Sequence, residues 1–181
     1  MKIAFFLENN KAGGMDTYLK NLIDCWPNDK NELIIFSNFN HPGFKFLRSH
    51  FKNKKRVKLI SYKSDINYIS NEKKNFFIKI YKYLKKIKNF PKKINYLLKV
   101  FIKYKIDRLF VIQGSYPGGL YGLASIIAWS KFSFIKPWFN FHNYAIKRRK
   151  IDFFGKYLDN SIVVTQYEAF VLDANDEYFF E

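Results

Sequence analysis

Cysteine is nearly missing from this sequence. Cys25 stands alone, which excludes an internal disulfide and a multi-cysteine metal site. With no signal-peptide pattern at the start, a reducing, cytoplasmic location is expected. Acidic residues are scarce as well: 15 Asp and Glu stand against 32 Lys and Arg, a formal net charge of +17. Such a balance calls for a polyanionic partner, whether nucleic acid, a phospholipid leaflet or a phosphorylated substrate. Long apolar runs are also lacking, since lysine interrupts each one before the roughly 20 residues that a transmembrane helix requires. The chain is therefore expected to touch a membrane without crossing it. Neither GxGxxG nor GxxxxGK[ST] occurs, which disfavours a dinucleotide oxidoreductase and a P-loop NTPase. HxxxH and CxxC spacings are lacking, so no protein-held metal is expected, and no GxSxG elbow supports a serine hydrolase.

What is present reads as one folded domain. In 181 residues, 48% are hydrophobic and 20% aromatic, far from the composition of a disordered chain and enough for a single core. Short apolar runs recur: KIAFFL at 2–7, ELIIFS at 32–37, VKLIS at 57–61, RLFVIQ at 108–113, PWFNFH at 137–142 and SIVVT at 161–165. Each has the length and the β-branched or aromatic bias of a buried strand. Helical spacing fills the gaps. Met15, Tyr18, Leu19, Leu22 and Ile23 form one stripe, with Asp16 placed to offset a helix N-terminus; GGLYGLASIIAWSK at 118–131 is small and apolar nearly all round. Strands alternating with helices predict right-handed βαβ units: an α/β, Rossmann-like, doubly wound and mainly parallel sheet. The domain is expected to span residues 1–172, followed by an acidic tail, DANDEYFFE, at 173–181.

In such a sheet, ligands bind where the βα loops gather at the carboxyl ends of the strands. The first of these loops, ENNKAGGM, ends in Gly13 and Gly14 and opens the first helix. Its N–H groups and helix dipole favour an anion, and glycine lets a phosphate or sugar approach the main chain. The plainer alternative is a turn that needs positive φ. VIQGSYPGGLYG at 111–122 again sets glycines and a hydroxyl, Ser115, between strand and helix. FNFHNY at 139–144 puts His142 and Asn143 at a strand end, where a histidine can donate to a sugar hydroxyl or stabilise developing charge; a lone histidine near a core is also commonly structural. His41 and His50, in a polar loop and a short helix, receive no role.

Residues 73–105, KKNFFIKIYKYLKKIKNFPKKINYLLKVFIKYK, hold twelve lysines and no acid. Phe77, Ile80, Tyr81, Leu84 and Ile87 follow helical spacing. After an expected break at Pro91, Ile94, Leu97, Leu98 and Phe101 repeat it. Rings at a headgroup boundary and ammonium groups on lipid phosphates suit an interfacial helix, at about 1 kcal/mol per basic residue near an anionic leaflet. Lys79, Lys82, Lys85, Lys86, Lys92 and Lys93 are the candidate contacts. The competing reading is a core-facing helix with an ordinary solvated basic face. Sequence-specific nucleic-acid binding is disfavoured, because no RNP or helix-turn-helix pattern occurs and arginine is scarce.

The residues MKIAFFLENNKAGGMDTYLKNLI, IDRLFVIQGSYPGGLYGLAS, KPWFNFHNY and LDNSIVVTQYEAF, in that order and spacing, resemble the N-terminal domain of a family 4 glycosyltransferase of the two-Rossmann-domain (GT-B) type. The resemblance covers nearly the whole chain. It implies an acceptor-binding half of a retaining, metal-independent hexosyltransferase that needs no cofactor and uses a nucleotide-sugar as co-substrate. The acceptor would be a glycan or lipid-linked molecule at the inner face of the membrane, in cell-envelope polysaccharide or glycolipid assembly. Gly13 and Gly14 would approach the donor diphosphate, Ser115 and Asn143 would bind substrate, and His142 would act on the transferred sugar. The donor-binding C-terminal half of such enzymes is not in these residues, so the expectation is a truncated domain or a partner for a separate half, inactive alone. A second class stands beside it: a non-catalytic basic module that binds anionic lipid or nucleic acid through residues 73–105.

Overall fold

KIAFFL at the start of the chain has no polar face, and an all-apolar strand must be covered on both sides. In the computed structural model, which describes residues 1–9, 12–62, 76–113, 120–141 and 163–164, this segment is the central strand β1 (Lys2–Leu7). Ile3, Ala4, Phe5, Phe6 and Leu7 have no exposed surface. The chain continues through α1 (Gly14–Asp24), β2 (Glu32–Asn38), α2 (Pro42–Phe51), β3 (Val57–Tyr62) and α3 (Phe76–Tyr104). It then forms β4 (Arg108–Gln113), α4 (Leu120–Phe132), β5 (Trp138–Phe141) and the two-residue β6 (Val163–Val164).

The strands lie in the order β3-β2-β1-β4-β5-β6, all parallel. Chain order reverses between β1 and β4, so the topological switch point of this doubly wound sheet lies at their carboxyl ends. Alternation along the strands divides the core into two layers. Phe5, Leu7, Leu33, Ile35 and Ile112 pack with Leu19 and Ile23 of α1 and with Leu47 and Phe51 of α2. Ala4, Phe6, Ile34, Phe36, Val111 and Phe139 pack on the other face with Leu97 and Phe101 of α3 and Trp129 of α4. Burial of this kind is worth roughly 25 cal/mol per Å² of apolar surface, and it is spread over both faces.

Two features of α3 run against local propensity. First, no break occurs at Pro91: α3 runs through it as one 29-residue helix, contrary to the two helices expected from sequence. Proline removes one ladder donor at a cost of about 3 kcal/mol, but Ile94, Leu97 and Phe101 beyond it are buried against the sheet and α4, and that packing holds the helix in line. Second, α3 ends in a Schellman turn, with the Lys105 N–H donating to Ile102 O (3.1 Å) and the Ile106 N–H to Phe101 O (3.2 Å). Lys105 takes φ 53° there, a conformation that glycine adopts more cheaply.

Candidate functional site

The carboxyl rim carries two polar clusters, one on each face of the sheet. On the α3/α4 face, Glu8 follows β1 directly. Its Oε2 accepts the Gly122 N–H at the start of α4 (2.7 Å) and Gln113 Nε2 at the end of β4 (3.5 Å). Gln113 is 1% exposed, and a Cβ on Gly122 would collide with its amide, so glycine there is required by close packing. Tyr62, at the end of β3, donates its hydroxyl to Leu7 O (3.0 Å). Burial first, then the charge of Glu8 and neighbouring Tyr121, push this phenol well above its usual range, so it serves as a neutral donor.

On the α1/α2 face the glycine loop meets α1. Gly13 and Gly14 are exposed, and a Cβ added to either would touch nothing within 4 Å. Gly13 is extended, with φ 171°, and neither glycine has positive φ in the left-handed region. At these two positions the described backbone does not need glycine for its conformation. The first turn of a helix leaves its leading N–H groups without intrahelical acceptors. Here the Gly13 N–H donates to Asp16 Oδ2 (3.0 Å) in the returning half of a capping box, while Gly14 and Met15 follow as the first helical residues.

Asp16 does more than cap. It is 2% exposed; its Oδ2 also accepts Asn9 Nδ2 (3.4 Å), and its Oδ1 lies 2.6 Å from His41 Nε2. His41 is the N-cap residue of α2, directly before Pro42, and its side chain is wholly buried. A carboxylate only accepts, so Nε2 carries the proton of this bond. His41 Nδ1 is buried with no hydrogen-bond partner among the described residues. Gly43 backs the pair so closely that a Cβ would collide with His41 Nε2 and the Asp16 carboxyl group. Nearby, Asn140, the penultimate residue of β5, donates its Nδ2 to Tyr18 Oη of α1 (3.1 Å), and burial raises the Tyr18 phenol above its usual range. That bond ties the end of β5 to the helix that the glycine loop opens.

The residues singled out from sequence fare differently. Gly13 and Gly14 stand at the rim as expected, with room over them. Ser115, His142 and Asn143 lie outside the described residues; β5 ends at Phe141, one residue before His142. Lys79, Lys82, Lys85 and Lys86 belong to α3, with side chains outside the described set. Lys92 is exposed, but Lys93 is turned inward. It is 6% exposed, with its ammonium 4.2 Å from the centre of the Tyr121 ring, a cation–π contact and not a surface charge. The stripe Ile94, Leu97, Leu98, Phe101 faces the core, so this half of α3 follows the core-facing reading. Sequence reading missed His41, Gly43, Glu8 and Gln113. The one signal available for the first two was the string NHPGF, where Pro42 marks a helix start and Gly43 a close approach.

No protein-family model, curated protein or solved structure matches the chain. Among the described residues no group of three His, Cys, Asp or Glu is arranged to hold a metal ion, and no helix is long and apolar enough to cross a membrane. At the rim the carboxylate of Asp16, the amides and the phenols are buried or half-buried and bonded within the protein, and the glycine pair is what stands exposed above them.

Proposed function

We propose that this chain is the acceptor-binding half of a retaining, metal-independent glycosyltransferase that moves a sugar from a nucleotide-sugar to a glycan or lipid-linked acceptor at an anionic membrane face, in cell-envelope polysaccharide or glycolipid assembly. The observation that carries the reading is the exposed Gly13–Gly14 pair at the carboxyl rim, open to approach and leading into α1. The Asn140–Tyr18 bond supports it, because it draws the strand end that precedes His142 toward that same helix. In this reading the backbone of Gly14 and Met15 faces the sugar diphosphate, His142 acts on the transferred sugar, and a second domain supplies the remaining donor contacts. Saturation-transfer NMR with nucleotide-sugars and candidate acceptor glycans tests it. Signal transfer to at least one ligand class is expected, and a folded sample that binds neither would sink the reading.

A basic, non-catalytic module is the second reading, and one observation favours it. The outer face of α3 exposes Lys92, Tyr96, Lys99, Ile102 and Lys103 in one helical stripe without an acid. Flotation with phosphatidylserine vesicles beside gel shifts with random DNA separates the two. Vesicle binding fits both readings, whereas a preference for DNA at physiological salt leaves only the module.

A further inference from the structure

We propose that His41 is a positioning residue for the glycine loop: it latches the Asp16 carboxylate, and through it the Gly13 N–H, so that the loop is held in the shape its ligand meets. The inference rests on the reading of Gly13 and Gly14 as a ligand seat, but its physical basis is independent of any ligand. Four segments converge on one carboxylate: the β1–α1 loop through Asn9 and Gly13, α1 through Asp16 itself, the N-cap of α2 through His41, and the first turn of α2 through Gly43. Both side chains of the ion pair are almost wholly buried, at 0% and 4% exposure.

Full burial excludes His41 from touching a substrate, so its action passes through Asp16. Nε2–H donates to the carboxylate, while Nδ1, on the other side of the ring, is buried with no partner among the described residues. The latch therefore works through a single N–H. Asp16 sits at the N-terminus of α1 with one oxygen held by His41 and the other by Asn9 and Gly13. Its charge and its claim on the Gly13 N–H have a consequence for the seat. One donor is already taken, and a ligand must use Gly14 and Met15.

The test uses the 15N-labelled 181-residue chain. In wild type the Gly13 amide is expected to exchange slowly although the residue is exposed. In His41→Phe, which fills the space but donates nothing, exchange at Gly13 is expected to rise about tenfold, as for the loss of one charge-assisted hydrogen bond. His41→Gln, which can still reach Asp16 with an N–H, should restore part of the protection. If His41→Phe does not fold, His41→Gln and the ring-nitrogen shifts of wild-type His41 carry the test, which then expects an Nε2-protonated ring and intermediate exchange. Unprotected Gly13 in wild type, a ring that lacks the Nε2 proton, or exchange unchanged within about twofold in a folded variant would overturn the latch. A pyrophosphate titration followed at the Gly14 amide is the second arm. Binding that weakens about fivefold in His41→Gln supports the latch and the seat together. A protected Gly13 released by the variants, in a chain that ignores pyrophosphate, supports the latch and fails the diphosphate reading.

Discussion

Each end of α1 carries an aspartate that meets a histidine of the α2 segment, and the two settings are opposite. At the carboxyl rim, Asp16 and His41 are buried and backed by glycine. At the base, Asp24 is 24% exposed and gathers three partners: His50 Nε2 (2.9 Å), Lys20 Nζ (2.9 Å) and Lys54 Nζ. Burial pushes the Asp24 carboxyl up, but the hydrogen bonds from Lys54, Lys20 and His50 outweigh it and hold the group far below the usual carboxylate range. The same two residue types thus make an inflexible joint at one end and a solvated clamp at the other. The difference teaches which of them the fold can lose: an exposed ion cluster redistributes its charge to water, whereas a buried carboxylate that loses a donor has no solvent to replace it.

The largest expected effect breaks the buried pair. His41→Phe leaves Asp16 Oδ1 buried without its partner and should cost about 3 kcal/mol, a fall in melting temperature of roughly 6–12 °C for a domain of this size. His50→Phe should cost under about 1 kcal/mol. Thermal melts of the two variants check the contrast, and equal losses would erase it. Next comes the backing glycine. Gly43→Ala pushes a methyl into the pair and should destabilise by about 2 kcal/mol, while Gly14→Ala, in open space, should stay within about 0.5 kcal/mol of wild type in chemical denaturation.

The base clamp is expected to show its character in acid and salt. A carboxyl whose folded value is depressed contributes stability that is full above the unfolded value, about 3.8, and lost as pH falls below it toward the folded value. Asp24→Asn should therefore flatten the acid limb of the stability profile and cost about 1 kcal/mol at neutral pH. That loss should shrink in high salt, whereas the cost of His41→Phe should not. Modest, and positive in sign, is Lys105→Gly. It relieves the left-handed residue at the end of α3 and should stabilise by about 0.5–1 kcal/mol, a control that touches neither pair.

The strands were legible because each is a continuous apolar run, and β1 and β4 fall on the residues expected from sequence, Lys2–Leu7 and Arg108–Gln113. The stripe of α1 was legible for the same reason: periodicity reports burial. The rim was only half legible. Glycines advertise themselves, but the partner of Asp16 lies 25 residues away in a polar loop, and no local pattern records a contact that only the packing of α1 beside α2 creates. Glu8 and Gly122 meet across 114 residues for the same kind of reason. Pro91 misled in the other direction, because the local rule is sound and tertiary packing overrode it.

The length of α3 sets how much of it the sheet can use. At 29 residues the helix measures about 44 Å, against roughly 20 Å for a six-residue strand. Its final turn leads through Ile106 into β4. The described core contacts of α3 run from Phe90 to Tyr104, a span of about 22 Å. What keeps the helix straight at Pro91 is thus one strand's length of packing, and it begins at the residue just before the proline.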